Sequence, residues 1–227
     1  PFDFVHKIAI NPLNGHVYVG CHRRLLRSTD GGTTWTVVFV GNVAGFADGG
    51  TFDVVVTSTG KVIIAVNGGN EDPAIRGVWS SSTGNVSSFT RLAGGSLLGV
   101  DSVDGWRGNS YDTRTINGQP NPVPKRILLA LAPSNNNILY VMYENGAASG
   151  NDADLYQVNL STNTWINRSI NIPDFGGSVG TFSTQEGYDM FVAVKPDNPN
   201  FVILGGVNLF RSTDGFSSTS NTTWIGG

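Results

Sequence analysis

The stretch Ser28-Thr29-Asp30-Gly31-Gly32-Thr33-Thr34-Trp35 reads Ser-x-Asp-x-Gly-x-Thr-Trp, and a worn copy returns as Ser212-Thr213-Asp214-Gly215 followed by Thr222-Thr223-Trp224. Each residue type has a local task. Ser28 and Asp30 carry short side-chain oxygens that bond the backbone N–H groups of a tight turn. Gly31 and Gly32 admit the positive φ that such a turn requires. Thr34 and Trp35 open a strand, and the indole covers the turn from one side. The pattern predicts a hairpin turn between two strands, with Ser28, Asp30, Gly32, Thr34 and Trp35, and again Ser212, Asp214, Gly215 and Trp224, in structural roles.

Four copies of one unit surround this box. Each opens with an apolar strand, turns at Pro, Asn or Gly, and returns in a second strand, over residues 8–20, 54–65, 129–141 and 192–206. A third strand ending at the box follows at 25–28, 78–81, 155–158 and 209–212, and a fourth begins at an aromatic: Trp35, Phe89, Trp165 or Trp224. Four antiparallel strands per repeat is the pattern of a β-propeller blade. The nearly continuous apolar first strand predicts that it lines a central channel, buried on both faces. Blades are expected at about 1–45, 46–95, 124–170 and 187–227, with inserted loops at 96–123 and 171–186. The expected fold is all-β: about four four-stranded antiparallel blades, part of a larger ring. The chain begins Pro1-Phe2-Asp3 without an initiator Met, which reads as a processed protein or a piece of a longer one.

The copies of the box have decayed differently. The second, Ser81-Ser82-Thr83-Gly84-Asn85, has lost its Asp, and the third, ending Thr164-Trp165, keeps only those last two residues. The fourth carries five extra residues between Asp214 and Trp224, with Phe216 where the second Gly stands, so its turn is expected to bulge outward.

Composition agrees with an all-β chain. Charged residues make up 14%, against roughly a quarter in an average soluble protein, while 30 of 227 residues are Gly. The net charge of −3, with no basic cluster beyond His22-Arg23-Arg24, argues against nucleic acid or anionic membrane as partners. A lone Cys21 excludes an internal disulfide and a thiolate metal site. His6, His16 and His22 lack metal-ligand spacing, so no metal and no cofactor is expected. No apolar stretch is long enough to span a bilayer.

The box and the paired strands resemble the BNR/Asp-box β-propeller superfamily, which includes sialidases, xyloglucanase-type glycoside hydrolases and the sortilin/Vps10 ectodomain. The segments Gly187-Tyr188-Asp189-Met190-Phe191-Val192-Ala193-Val194-Lys195-Pro196 and Gly205-Gly206-Val207-Asn208-Leu209-Phe210-Arg211-Ser212-Thr213-Asp214-Gly215 are most similar to large secreted, sortilin-like or glycosyl-hydrolase-like repeat proteins of Bacteroidota. The resemblance covers essentially the whole chain and implies an extracellular or cell-surface location. It implies fold more than activity, because propellers host enzymes, receptors and scaffolds alike.

A sialidase of this superfamily announces its first arginine with Arg-Ile-Pro, whereas this chain has Lys7-Ile8-Ala9 at that strand and Arg126-Ile127-Leu128 later. A xyloglucanase-type enzyme needs two carboxylates across a cleft, and Asp53, Glu186 and Asp189, near the starts of first strands, are the catalytic candidates. The loop 101–114 offers Trp106, Arg107, Tyr111 and Arg114, residue types suited to sugar stacking or an interface hot spot. The leading expectation is a non-catalytic scaffold or recognition module for protein or carbohydrate. The alternative is part of a polysaccharide-directed glycoside hydrolase. Expected partners are the remaining blades of the parent chain or another protein, and a polysaccharide or peptide ligand.

Overall fold

Short apolar runs separated by Gly-, Asn- and Thr-rich turns leave each strand one convenient partner, the next strand along the chain. The structure, a computed structural model, describes residues 2–41, 52–66, 75–94, 115–116, 119–120, 126–145 and 151–227. The first sheet comprises β1 (Val5–Ile10), β2 (Val17–Cys21), β3 (Arg24–Ser28) and β4 (Thr36–Val40), and the second β5 (Phe52–Val56), β6 (Val62–Val66), β7 (Gly77–Ser81) and β8 (Thr90–Ala93). A two-residue ladder, β9 (Thr115–Ile116) with β10 (Gln119–Pro120), follows them in the chain ahead of the third sheet. That sheet holds β11 (Ile127–Ala132), β12 (Asn135–Glu144), β13 (Ala153–Asn159) and β14 (Thr164–Asn167), and the fourth β15 (Phe191–Val194), β16 (Val202–Gly205), β17 (Leu209–Ser212) and β18 (Thr222–Gly226). All four sheets are antiparallel and follow chain order, as propeller blades do.

The chain divides into two compact units, residues 1–108 and 109–227. In the first, β1 and β2 pack on β5, and Tyr18, Leu25 and Val38 of blade 1 share a core with Val54, Val62, Ile64 and Val66 of blade 2. In the second, β11 packs on β15, and Tyr140, Met142 and Leu155 of blade 3 share a core with Val202, Leu204, Phe210 and Phe216 of blade 4. The segment 171–186, expected as an inserted loop, completes this second core. After a 3-10 turn at Ser169–Asn171, Ile172 and Phe182 are buried in it, and Phe175 stacks on Phe210 at 5.6 Å. Of the expected loop 96–123, only the short β9–β10 ladder is described.

The first strands are not uniformly buried on both faces. β1 is exposed at Val5, Ile8 and Ile10, and β15 at Phe191. Every residue of β6 is buried instead, and β2 and β12 are buried along most or half of their lengths. The reason is position: a first strand is the edge of its sheet, and a second strand has a neighbour on either side.

Within each unit the blades meet through a tyrosine and a glycine. Tyr18 on β2 and Tyr140 on β12 occupy equivalent register positions, paired with Arg27 and Gln157. The Tyr18 ring end lies on Gly84 in the box turn of blade 2, and the Tyr140 ring end on Gly215 in that of blade 4. Both glycines are left-handed (φ 65° and 67°), and a Cβ on either would overlap the tyrosine hydroxyl. Arg27 Nη1 donates to Gly84 O (3.1 Å) and Asn85 Oδ1 (2.6 Å) across the first junction. In the second, Tyr140 donates to Pro199 O (3.1 Å) and accepts from Gln157 Nε2 (2.9 Å), while Asn171 Nδ2 donates to Phe216 O (2.8 Å). Burial pushes the Tyr140 hydroxyl up to about 12 and raises that of Tyr18, with Arg27 pulling the latter back.

Two predictions follow from this junction. Gly84→Ala and Gly215→Ala combine left-handed strain with an overlap and should each lower unfolding free energy by roughly 2–5 kcal/mol. Gly31→Ala, with no heavy atom among the described residues within 4 Å of its Cβ position, should cost only about 1–2 kcal/mol; urea denaturation ranks the three. A raised folded pKa also means that stability held below the ordinary tyrosine value of 10.0 is lost as pH rises through about 12. Alkaline titration followed by tyrosinate absorbance should show Tyr140 ionising only as the second unit loosens.

Candidate functional site

The box residues form one hydrogen-bonded turn. Gly32 N donates to Ser28 Oγ (2.8 Å), whose own hydrogen goes to Asp30 Oδ1 (2.8 Å). The Asp30 carboxylate then accepts Thr34 N (2.8 Å) and Thr34 Oγ1 (2.6 Å), and Trp35 Nε1 closes the turn on Gly32 O (2.9 Å). These donors hold the Asp30 carboxyl down at about 2, the Thr34 hydroxyl most, then Thr34 N–H and Ser28.

The worn copies keep different parts of this arrangement. In copy four, Phe216 N replaces Gly32 N on Ser212 Oγ (2.9 Å), and Asp214 accepts Ser212 Oγ, Ser218 Oγ and Asn221 Nδ2 at 2.7, 2.7 and 2.9 Å. Burial works against the ionised Asp214, yet Asn221, Ser218, Ser212 and Ser217 together hold its carboxyl below the usual range. The five extra residues occupy the outer excursion, with Ser217, Thr219, Ser220 and Asn221 exposed, while Phe216 turns inward at φ 57° and is fully buried. Trp224 does not cover the turn as Trp35 does. The insertion shifts it into β18, where it pairs with Phe210 and its Nε1 donates to Asn208 Oδ1 (3.3 Å). In copy two, Ser81 Oγ holds Gly84 N (2.8 Å) and pairs with Ser88 Oγ (2.6 Å) in the absence of a carboxylate.

The box is thus a hydrogen-bonded turn that in copies two and four seats the tyrosine of the blade before it, and a better candidate for recognition lies at 184–189. Thr184 N donates to both Asp152 carboxylate oxygens (2.7 and 3.0 Å), and Gly187 N to Thr184 Oγ1 (3.0 Å). Asp189 N donates to Thr184 O (2.8 Å), and Arg126 Nη1 grips Gly187 O and Tyr188 O (3.0 and 2.8 Å) from blade 3. Gln185 and Glu186 are left-handed at φ 49° and 61°, a conformation costing about 1–2 kcal/mol each. It persists because Asp152 and Arg126 clamp the turn at both ends. On this clamped turn Tyr188 is 83% exposed, flanked by exposed Glu186 and half-buried Asp189.

Of the carboxylates singled out in the sequence, Glu186 and Asp189 therefore share one turn ahead of β15. Asp53 lies within β5, buried, its Oδ1 accepting its neighbour Val54 N at 2.8 Å. Trp106, Arg107, Tyr111 and Arg114 lie outside the described residues. Tyr188, Arg126 and Asp152 escape a sequence reading, because their link joins residues far apart in the chain. The only local hint is the apolar-poor run Thr184-Gln185-Glu186-Gly187-Tyr188-Asp189.

In sequence, the chain matches no protein-family profile and no curated protein. In structure it is similar to the extracellular domain of the putative one component system BT4673 from B. thetaiotaomicron, at 12% identity and a TM-score of 0.51, over 99% of this chain and 22% of that one. It is also similar to the Dos1 propeller, at 15% identity and a TM-score of 0.51, over 93% of this chain and 45% of that one. The Niastella koreensis GH74 enzyme aligns at 19% identity and a TM-score of 0.45, over 97% of this chain and 38% of that one. The class defined by fold is therefore the β-propeller, and the chain spans less than half the length of each of these structures.

The lowered Asp30 carboxyl sets a further prediction. Its contribution is present above the ordinary value of 3.8 and is lost as pH falls through about 2. Thr34→Val removes the strongest donor, so NMR titration of Asp30 should show its midpoint move up from about 2 toward the ordinary value.

Proposed function

We propose that this chain is a blade segment of an Asp-box-type propeller that works outside the cell or at its surface as a non-catalytic recognition module, binding carbohydrate through the turn 184–189. The observation that carries the reading is Tyr188, whose ring stands 83% exposed on backbone gripped by Arg126. An exposed aromatic on a rigid support offers a flat apolar face at low entropic cost, and a sugar ring presents a complementary C–H face. Glu186 beside it, exposed, and Asp189 can accept hydrogen bonds from sugar hydroxyls. The mildly negative net charge of −3 and the low content of Lys and Arg suit a neutral polysaccharide better than an anionic one.

The non-catalytic part rests on the carboxylates. A glycosidase pair flanks the scissile bond from two sides, whereas Glu186 and Asp189 stand three residues apart on one turn and Asp53 is buried against its own backbone. Partner blades, from the same polypeptide or another protein, complete the scaffold on this reading.

The expected result is that the chain binds soluble neutral polysaccharides, such as xyloglucan or arabinan, in affinity electrophoresis. Tyr188→Ala should weaken binding at least tenfold while leaving the thermal midpoint within about 2 °C, since an exposed side chain contributes little stability. Release of reducing sugar that disappears on Asp53→Asn or Asp189→Asn would establish a hydrolase instead.

A further inference from the structure

Blade 2 shows what a docked blade looks like from its leading side, the side turned to the blade before it. Val54 and Val56 of β5 pair with Ile64 and Val62 of β6, and Val54 is fully buried against blade 1. Gly84 in its box turn seats the Tyr18 hydroxyl. Blade 4 repeats this with Val192 and Val194 against Leu204 and Val202, and with Gly215 under Tyr140.

Blade 1 has the same leading face: Val19, Cys21 and Leu26 in its middle are buried beside Trp35, but among the described residues its first strand and box turn carry no blade. Ile8 and Ile10, which pair with Val19 and Val17 in the same register, are 58% and 62% exposed. Gly31 stands where Gly84 and Gly215 stand in their boxes, left-handed at φ 69°, and its Cβ position has no heavy atom within 4 Å among the described residues. Trp35, packed against Val19, Cys21 and Leu26, and Phe2, edge-on to it at 5.0 Å, cover the middle of this face and leave Ile8, Ile10 and Gly31 open.

We infer that the leading face of blade 1 is a docking site for a further four-stranded blade whose second strand carries a tyrosine at the register position of Tyr18 and Tyr140, its hydroxyl seated on Gly31. The repeats themselves supply the rule for the occupant. Tyr18 and Tyr140 are each followed, one blade on, by a box with glycine at the seat, Gly84 and Gly215. Ile63, at the equivalent position of β6, is followed by a box with Ser161 there. Box 1 has the glycine, so the blade in front of it carries the tyrosine. A second copy of this chain does not meet the rule. Its own trailing blade presents Ile203, paired with Arg211, and both of its tyrosines are already seated. The inference is independent of the carbohydrate reading, because it concerns a different blade and a different face.

The test places a duplicate of residues 2–51 ahead of residue 2 in the full chain, so that the added blade offers its own Tyr18 to Gly31. Ile8→Cys in the original blade reports on the face through its rate of reaction with a soluble maleimide, corrected for buried Cys21 in the parent chain. The added blade should slow labelling at least tenfold. Tyr18→Ile in the added blade, or Gly31→Ala in the original one, should each restore most of the rate. Labelling that is equally fast with and without the added blade overturns the inference, and so does protection that survives Tyr18→Ile. Concentration-dependent protection in the unextended chain assigns the face to a second copy and also overturns it. Should the extended protein fail to unfold cooperatively, the added segment is lengthened to residues 2–108, a compact unit, with and without Ile63→Tyr at the register position of Tyr18. Protection only with Ile63→Tyr supports the inference, and equal labelling in both overturns it.

Discussion

A tyrosine hydroxyl resting on a left-handed glycine is the contact on which the blade pair within each unit depends. A blade face is broad and apolar, and its favourable burial, about 25 cal/mol per Å², carries no information about register. The Tyr18–Gly84 and Tyr140–Gly215 contacts supply that information, because only a residue without a Cβ lets the ring end reach the turn. The polar tip then needs partners, since a buried hydroxyl without them costs roughly 1–3 kcal/mol. In the second unit Pro199 O and Gln157 provide them, and Arg168 Nη2 holds Gln157 Oε1 at 2.6 Å.

Seen from this contact, the decay of the boxes is ordered. Copy two has lost the carboxylate but keeps Ser81 and Gly84, the residues that shape the turn and receive Tyr18. Copy four tolerates five inserted residues, since they project away from Gly215 and its tyrosine. Copy three has lost Ser, Asp and Gly together; Asn159 Oδ1 binds Ser161 N and Oγ instead (3.0 and 2.7 Å), and Asn163 adopts φ 52° under Trp165. The aspartate stiffens the turn, and the glycine joins blades.

Much of the fold was legible in the residues. Apolar runs of four to six with turn residues between them specify hairpins, and a recurring box marks each third strand, so four blades could be counted without coordinates. Burial was misjudged where it depended on neighbours. The apolar run Ile8-Ala9-Ile10 reads as a first strand buried on both faces, yet it lies on the edge strand of its sheet, where Ile8 and Ile10 are exposed. The outward bulge of the fourth box was legible from its insertion, but not that Phe216 fills the core, its left-handed backbone turning the ring inward. The turn 184–189 was the least legible part: Glu186 and Asp189 drew notice as acids, but the clamp by Arg126 and Asp152 that leaves Tyr188 displayed crosses from blade 3.

Local chemistry thus sufficed for whatever forms within a few residues: strand, turn, and the hydrogen bonds of Ser28, Asp30 and Thr34 around one carboxylate. Those bonds close short loops, so residue type and spacing nearly specify them. Which tyrosine meets which glycine, which apolar face stays open, and which acid stands beside a displayed ring required blades to be stacked. Such contacts join residues tens of positions apart, and their partners are chosen by shape across a packed face rather than by any pattern along the chain.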